Sequence, residues 1–293
     1  MSVAKEMLAA GPGCAVANGF LNAFEATKVK LQIHDASRPV YRVPTTAGVM
    51  SQIAREEGVV RGLMTPGLST SLTRSALYGA YRVGLYAHFR DMLVGADGEP
   101  GIQHRMMSGM LTGGLGAALT CPLDVVRTRL QADSGSVGKD GRYTTGLRRG
   151  MTVRYSGMAS ALIKIMKEEG LRSGLYRGAS VTIARATLLN GAQLASYDTL
   201  KRRLHWEEGP VFHVTCALAS GIIAQTVVMP IDTVKSHVML GNGWRAVFDV
   251  MRANGPFWFY RGYLPACAGQ GLIMMIQMPL IEEFRRLLNV DAL

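Results

Sequence analysis

The sequence predicts an all-α membrane protein with six transmembrane helices in three tandem repeats of about 100 residues. The first observation behind this prediction is a six-residue motif that places an acid three residues before a base. It occurs as Pro122–Arg127 and Pro230–Lys235, and a third copy without the proline is Ala23–Lys28. On a helix this spacing puts both charges on one side. A solvated surface pair would explain one copy, but three copies in register indicate a repeat.

Composition is the second observation. Hydrophobic residues make up 48% of the chain, charged residues make up 18%, and the net charge is +11. These values argue against an ordinary soluble enzyme and favour a membrane protein with basic flanks. A spanning helix needs about 20 mostly apolar residues. Four stretches without permanently charged residues are candidate spans: Leu8–Phe24, Met106–Leu123, Val211–Ile231 and Gly262–Ile281.

Two further candidate spans, Gly67–Arg90 and Gly178–Leu204, contain arginines. Charged residues inside a span usually face the interior of a helix bundle or a water-filled cavity. We therefore count both stretches as spans, which makes two helices in each repeat. The predicted repeats are residues 7–98, 102–206 and 210–290.

Between the two spans of each repeat, apolar residues recur at helical spacing and a glycine follows, which predicts a short amphipathic helix on the membrane surface. Connecting helices of a soluble domain are the alternative. The segment Ala132–Arg154 has no period and is predicted to be a mobile basic loop. The predicted short helices are Ala47–Glu57, Met158–Glu169 and Trp244–Ala253, followed by Gly58, Gly170 and Gly255.

Motifs for catalysis or nucleotide binding are absent from the sequence. It contains no GxxxxGK[ST] loop and no HExxH, and its four cysteines form no CxxC pair. Gly109, Gly113, Gly114 and Gly116 lie inside a span without a preceding strand, so we predict that they allow close helix packing. We therefore predict that the protein is not an enzyme, holds no metal or cofactor, and binds no nucleic acid.

Together with the repeated motif, two Glu-Gly pairs and two Tyr-Arg-Gly triplets resemble the mitochondrial carrier family. The pairs begin at Glu57 and Glu169, the triplets begin at Tyr176 and Tyr260, and the resemblance covers nearly the whole chain. It implies a multi-pass protein of the mitochondrial inner membrane, a six-helix bundle with threefold pseudosymmetry. The resemblance further implies one central substrate site and alternating access between two gates. It also implies a monomer in contact with membrane lipid such as cardiolipin, with the amphipathic helices on the matrix side.

In this family the matrix gate is a ring of ion pairs between the odd-numbered spans. The third repeat has Met239 where the first two have a glutamine that braces the ring. The resemblance assigns to this gate the pairs Glu25 with Arg127, Asp124 with Lys235 and Asp232 with Lys28, braced by Gln32 and Gln131.

The cytoplasmic gate of the family uses a similar motif near the far end of the even-numbered spans. The acid expected to face Lys201 is replaced by Ala87. A gate with one ion pair fewer should bias the protein toward the conformer in which that gate is open. The resemblance assigns to this gate Arg90, Asp198, Lys201, Glu282 and Arg285, with the pairs Asp198 to Arg285 and Glu282 to Arg90.

The class of substrate is indicated by arginines inside the even-numbered spans. Arg74, Tyr78 and Arg82 are spaced i, i+4 and i+8 and share one helix face, and Arg185 lies in the fourth span. Arginine side chains that extend to the membrane interface are the alternative, above all for Arg82. A guanidinium presents a planar fork that matches a carboxylate. Two or three such forks around one cavity favour a dianion.

These residues, with Ala186 and Gln193, resemble the oxoglutarate and dicarboxylate branch of the family. The sixth span departs from that branch, because Gly269, followed by Gln270, stands where the branch has an arginine. The resemblance implies exchange of small dicarboxylates or oxoacids such as malate, oxoglutarate, succinate and oxaloacetate. Uncoupling-type proton or anion transport, and a transport-inactive membrane adaptor that keeps the fold, are the alternatives.

Overall fold

A computed structural model describes residues 14–19, 21–33, 45–94, 101–138, 140–203, 210–241, 243–273 and 276. These residues are mostly helical and contain no strand, so the all-α prediction is confirmed for this part of the chain. The helices are α1 (14–19), α2 (Asn22–Ile33), α3 (Thr46–Glu56), α4 (Leu68–Gly84), α5 (Tyr86–Val94), α6 (Ile102–Ala132), α7 (Met158–Glu169), α8 (Ala179–Arg203), α9 (Pro210–Met239), α10 (Trp244–Asn254) and α11 (263–273).

In the described residues, each repeat has the same order of elements: a helical segment, a short amphipathic helix, a tight turn and a second helical segment. The short helices α3, α7 and α10 confirm the three predicted amphipathic helices, with ends that differ from the prediction by no more than one residue. Gly58, Gly170 and Gly255 follow them with φ angles of 82°, 80° and 77°. Glycine adopts this left-handed conformation without steric cost, so it lets the chain leave each short helix.

The membrane spans are partly described. Among the described residues, one helix, Gln103–Ala132, is long and apolar enough to cross a membrane. The six-span count remains a prediction, since the first and sixth predicted spans extend outside the described residues. The second span differs from the expected continuous helix, because a turn at Leu85 separates α4 from α5. The Leu85 amide still donates to the Tyr81 carbonyl at 3.1 Å, so the distortion is local.

The glycine-rich face of α6 packs closely against α4 and α8. A Cβ on Gly116 would lie 3.2 Å from the Tyr78 ring, and a Cβ on Gly113 would lie 2.0 Å from the Asn190 amide nitrogen. The Asn190 amide also donates to the Gly109 carbonyl at 3.4 Å. The predicted close packing is therefore confirmed. It brings the two helices that carry Arg74 and Arg185 against the middle of α6.

Buried ion pairs join the long and short helices of the first two repeats. Arg129 donates to both carboxylate oxygens of Glu169, at 2.5 and 2.7 Å, and so connects α6 to the end of α7. The Arg129 hydrogen bonds hold the pKa of Glu169 below its usual range. In the first repeat, the buried Nζ of Lys30 lies 3.6 Å from Glu57 Oε2. The sequence feature that could have identified these two ion pairs is a second basic residue, Lys30 or Arg129, two positions after the base of the repeated motif.

The third repeat has different groups at the corresponding positions. His237 occupies the position of the second base, and its Nε2 lies 2.9 Å from the Gln32 carbonyl. Its ring packs on Trp258, with 4.9 Å between the centroids. Asn254 replaces the acid and accepts a hydrogen bond from Arg261 at 3.0 Å. Aromatic packing and hydrogen bonds, one of them from a charged arginine, thus occur where the first two repeats pair a base with an acid.

The segment that follows α6 is folded onto the first repeat, in contrast to the expected mobile loop. Tyr143 is buried, and Thr145 Oγ1 donates to Glu57 Oε1 at 2.9 Å. Leu147 packs against the apolar cluster of α2 and α3. These side chains bury enough apolar surface to offset the ordering of a chain rich in glycine and serine.

We expect Gly113→Ala to lower the thermal stability of the purified protein, because the new methyl group displaces the buried amide of Asn190. The loss should be about 1–3 kcal/mol. Gly109→Ala is the matched control on the same helix, since its Cβ would lie at an ordinary contact distance of 3.5 Å from Leu194. The measurement is the apparent melting temperature in detergent. Equal shifts for the two variants would contradict the packing of Asn190 on Gly113.

Candidate functional site: a charged central cavity

A cavity of about 80 Å³ lies between α2, α4, α6, α8 and α9. Its lining is dominated by charged side chains that are shielded from solvent, each no more than 33% exposed. All three repeats contribute to it. The acids in the lining are Glu25, Asp124 and Asp232, and the bases are Lys28, Arg74, Arg127, Arg185 and Lys235.

Three ion pairs form a closed ring, and each pair joins two different repeats. The acid and the base of one motif diverge by about 60° around the helix axis, so each can reach the neighbour on its own side. The structure therefore brings together all six charged residues predicted for the matrix gate, which we call the charge ring. The pairs are Lys28 Nζ with Asp232 Oδ2 at 2.5 Å, Arg127 Nη2 with Glu25 Oε2 at 2.8 Å, and Lys235 Nζ with Asp124 Oδ2 at 2.7 Å.

The two glutamines predicted to brace the ring lie beside it. Gln32 accepts a hydrogen bond from Ser236 Oγ at 2.6 Å and donates one to Thr233 Oγ1 at 3.5 Å. Gln131 donates to Asn22 Oδ1 at 3.3 Å. These contacts join α2 to α9 and α6 to α2. Both glutamines therefore hold the helices of the ring through neutral groups.

Two of the three arginines expected to bind substrate contact the acids of the charge ring. Arg74 Nε contacts Asp124 Oδ1, and Arg185 Nε contacts Asp232 Oδ1. Arg185 Nη2 also lies 3.5 Å from the second oxygen of Asp232. Each aspartate is thus shared between a base of the ring and an arginine from an even-numbered span. The sequence cannot show this sharing, because it depends on where three separate helices meet.

The other predicted substrate residues of α4 and α8 surround the cavity without lining it, in the part of the chain that the structure describes. Tyr78 packs against the Arg74 guanidinium, 5.1 Å from the ring centroid, and so restrains its orientation through a cation–π contact. Ala186 is buried beside Arg185, whereas Arg82 and Gln193 are half-buried farther along their helices.

The predicted contact in the sixth span also lies outside the cavity lining. A Cβ on Gly269 would lie 3.7 Å from Phe24, so this face of α11 packs against α2. The Gln270 side chain lies over Gly221 of α9. Neither residue is brought to the described cavity, because both are used in packing between neighbouring helices.

The predicted cytoplasmic gate lies only partly within the described residues, and it stays a prediction. Arg90 Nη2 contacts the neighbouring Asp91 at 2.8 Å. Lys201 interacts with another group, so the loss of an acid in the second span does not isolate it. The members outside the described part are the side chain of Asp198 and the residues Glu282 and Arg285.

One residue that the sequence did not single out also reaches the charge ring. Gln225 of α9 is buried, and its Nε2 donates to Asp232 Oδ2 at 3.1 Å. An amide inside an otherwise apolar span is the signal that could have identified it, since polar groups in such spans usually have a partner or a function.

A bundle of three helical repeats around a small, charged cavity defines the class of membrane transporters for small solutes. The sequence profile of the family described as "Mitochondrial carrier protein" matches residues 1–97, 98–208 and 207–292. The chain belongs to the mitochondrial carrier family, whose members are transporters and not enzymes.

Its relatives include carriers with different names. The chain is 31% identical to mitochondrial uncoupling protein 1 of Arabidopsis thaliana over 279 residues, which cover 89% of this chain and 86% of the relative. It is 30% identical to the mitochondrial 2-oxoglutarate/malate carrier protein of Homo sapiens over 292 residues, which cover 94% of this chain and 88% of the relative. Because the two identities are nearly equal, likeness alone does not decide the substrate.

We expect Arg127→Glu to destabilise the protein by roughly 1.5–3 kcal/mol, since it places two carboxylates together at a contact between charged groups. The double variant Glu25→Arg with Arg127→Glu reverses the pair and should recover most of the melting temperature. Glu25 suits this test because its described ion pair involves Arg127 alone. A double variant as unstable as the single one would contradict a direct pairing.

Proposed function

We propose that the protein exchanges small dicarboxylates or oxoacids of the malate, oxoglutarate, succinate and oxaloacetate type across the mitochondrial inner membrane by alternating access. The observation that carries this proposal is the charge of the cavity. Its lining holds five bases and three acids, so it has two positive charges more than negative ones. A substrate with two carboxylates supplies the missing negative charge.

The free-energy cost of burying charge in the cavity favours a ligand with two negative charges. Charges held away from water cost several kcal/mol each unless an opposite charge is near. Each of the three acids already contacts a base, and Asp124 and Asp232 each contact two bases. A dianion therefore relieves the excess more completely than a monoanion or a neutral solute does.

Hydrogen-bond donors are present for the carboxylates. The Nε atom of Arg127 is buried and has no hydrogen-bond partner among the described residues, and its Nη2 lies 2.8 Å from Glu25 Oε2 without the geometry of a hydrogen bond. A buried donor without a partner is destabilising, and a carboxylate satisfies two donors of a guanidinium at once. The cavity volume of about 80 Å³ is far below the 300–1,000 Å³ of sites for larger ligands, which favours a small metabolite.

The names of the relatives bear on this proposal in two ways. The human relative is a 2-oxoglutarate/malate carrier, which agrees with a dicarboxylate substrate. The Arabidopsis relative is an uncoupling protein, and Gly269 provides no third cation in the sixth span. These two observations favour uncoupling-type anion or proton transport as the second candidate.

The closed charge ring supports alternating access. The ring must break for the cavity to open on that side, and substrate binding has to offset the cost of breaking it. Location in the inner membrane, several membrane crossings, contact with lipid such as cardiolipin, and action as a monomer are part of the same proposal and rest on the family.

In proteoliposomes, we expect malate uptake that requires a dicarboxylate on the opposite side. Arg185→Lys should lower this exchange about 10–100-fold, since it keeps the charge and loses a charge-assisted contact with two-pronged geometry. Arg55→Lys, in an exposed position on α3, is the matched control and should transport normally. Normal exchange by Arg185→Lys across a panel of dicarboxylates would remove this residue from the substrate site. Proton leak without any substrate on the opposite side would favour the second candidate.

Gly269 does not line the cavity, so a new side chain acts on substrate only if it extends there from the contact between α11 and α2. In that case we expect Gly269→Arg to shift preference toward acids with more negative charge. The position can accept the start of a side chain, since a Cβ would lie at an ordinary contact distance of 3.7 Å from Phe24. The measurement is the ratio of citrate uptake to malate uptake, which should rise. Gly269→Met, of similar bulk without charge, is the control and should leave the ratio unchanged. A ratio that changes equally in both variants would indicate an effect of size and not of charge.

A further inference from the structure

We infer that Gln225 is a positioning residue for Asp232, which allows Arg185 to leave this acid for the substrate more easily than Arg74 leaves Asp124. The inference rests on the proposed function for the identity of the substrate. The contacts that support it are independent of that identity.

The placement of Gln225 points to a specific role. Its side chain is 2% exposed and lies in an apolar stretch of α9, where a buried amide without a partner is costly. Its Nε2 finds that partner in Asp232 Oδ2, at 3.1 Å. The two residues are seven positions apart, so they lie on one face of the helix. The amide therefore reaches along α9 to the acid of the charge ring.

The three repeats differ at this position. Seven residues before Asp124 stands the buried Ala117, which has no donor to offer. Seven residues before Glu25 stands Asn18, whose amide donates to the Cys14 carbonyl at 2.8 Å instead. Of the three acids, Asp232 is thus the one with a neutral donor from its own helix among the described contacts.

Because of this difference, the two aspartates keep different numbers of hydrogen-bond donors when an arginine leaves. Asp124 is described with two basic partners, so departure of Arg74 leaves it with Lys235. Asp232 has Lys28 at 2.5 Å and the Gln225 amide in addition to Arg185. A carboxylate accepts about four hydrogen bonds, and two donors remain on Asp232 after Arg185 has gone. Leaving Asp232 without its arginine therefore costs less than leaving Asp124 without its own, although Arg185 gives up two contacts and Arg74 gives up one.

The test that needs no substrate is a double-mutant cycle on thermal stability. Gln225→Met keeps the length and removes the donor, and Arg185→Gln removes the competing charge. Together they should lower the melting temperature by about 2 °C or more beyond the sum of the single effects, because Asp232 is then left with one donor. Gln225→Met combined with Arg74→Gln is the control and should be additive. Additivity in both pairs would overturn the inference. If Gln225→Met does not fold, Gln225→Leu is used in its place.

Exchange kinetics supply the second readout. In Gln225→Met the KM for malate should rise several-fold with little change in maximal rate, since substrate must then take Arg185 from an acid with fewer other donors. An unchanged KM in an active transporter would overturn the role of Gln225 alone. A wild-type protein that exchanges no dicarboxylate would overturn the proposed function, and the stability cycle would still decide whether Gln225 supports Asp232.

Discussion

Burial of charge at the centre of the bundle is the constraint on which the other contacts depend. Moving an ion from water to a protein interior costs several kcal/mol even after relaxation, so charged groups persist there only as a network. Each motif supplies one acid and one base, and the pairs cross between repeats. The charge ring can therefore form only when all three repeats meet. The spacing of acid and base on each helix thus determines a set of ion pairs that exists only between repeats.

A second set of contacts keeps the ring helices in place. Arg129 fixes α7 to α6, Lys30 lies against Glu57 at the end of α3, and His237 packs on Trp258 in the third repeat. The chemistry differs from repeat to repeat, and in the third repeat the partner of α9 lies in the turn after α10. The glycine face of α6 adds the close approach of α4 and α8. Arg74 of α4 contacts Asp124 of α6, and Arg185 of α8 contacts Asp232 of the neighbouring α9.

The parts of the fold that were predictable are those that depend on local pattern. The ends of α3, α7 and α10 follow from helical spacing and a terminal glycine. The six residues of the charge ring follow from a motif repeated about every 100 residues, and their pairing follows from the resemblance to the family. The sharing of Asp124 by Arg74 was not predictable, because helices distant in sequence determine it. The folded segment around Tyr143 was missed for a similar reason. Its order comes from packing against the first repeat, which its own composition does not reveal.

The shared aspartates have a consequence for affinity. Asp124 and Asp232 present the same chemical groups as the two ends of a dicarboxylate, and each already contacts an arginine of the cavity. They act as tethered competitors, whose effective concentration near the arginines is far higher than that of a free solute. If the substrate is a dicarboxylate, as we propose, its entry replaces two contacts with similar ones, so we expect a small net binding energy. Modest affinity suits a transporter, since a solute that is bound tightly on one side of a membrane is released slowly on the other.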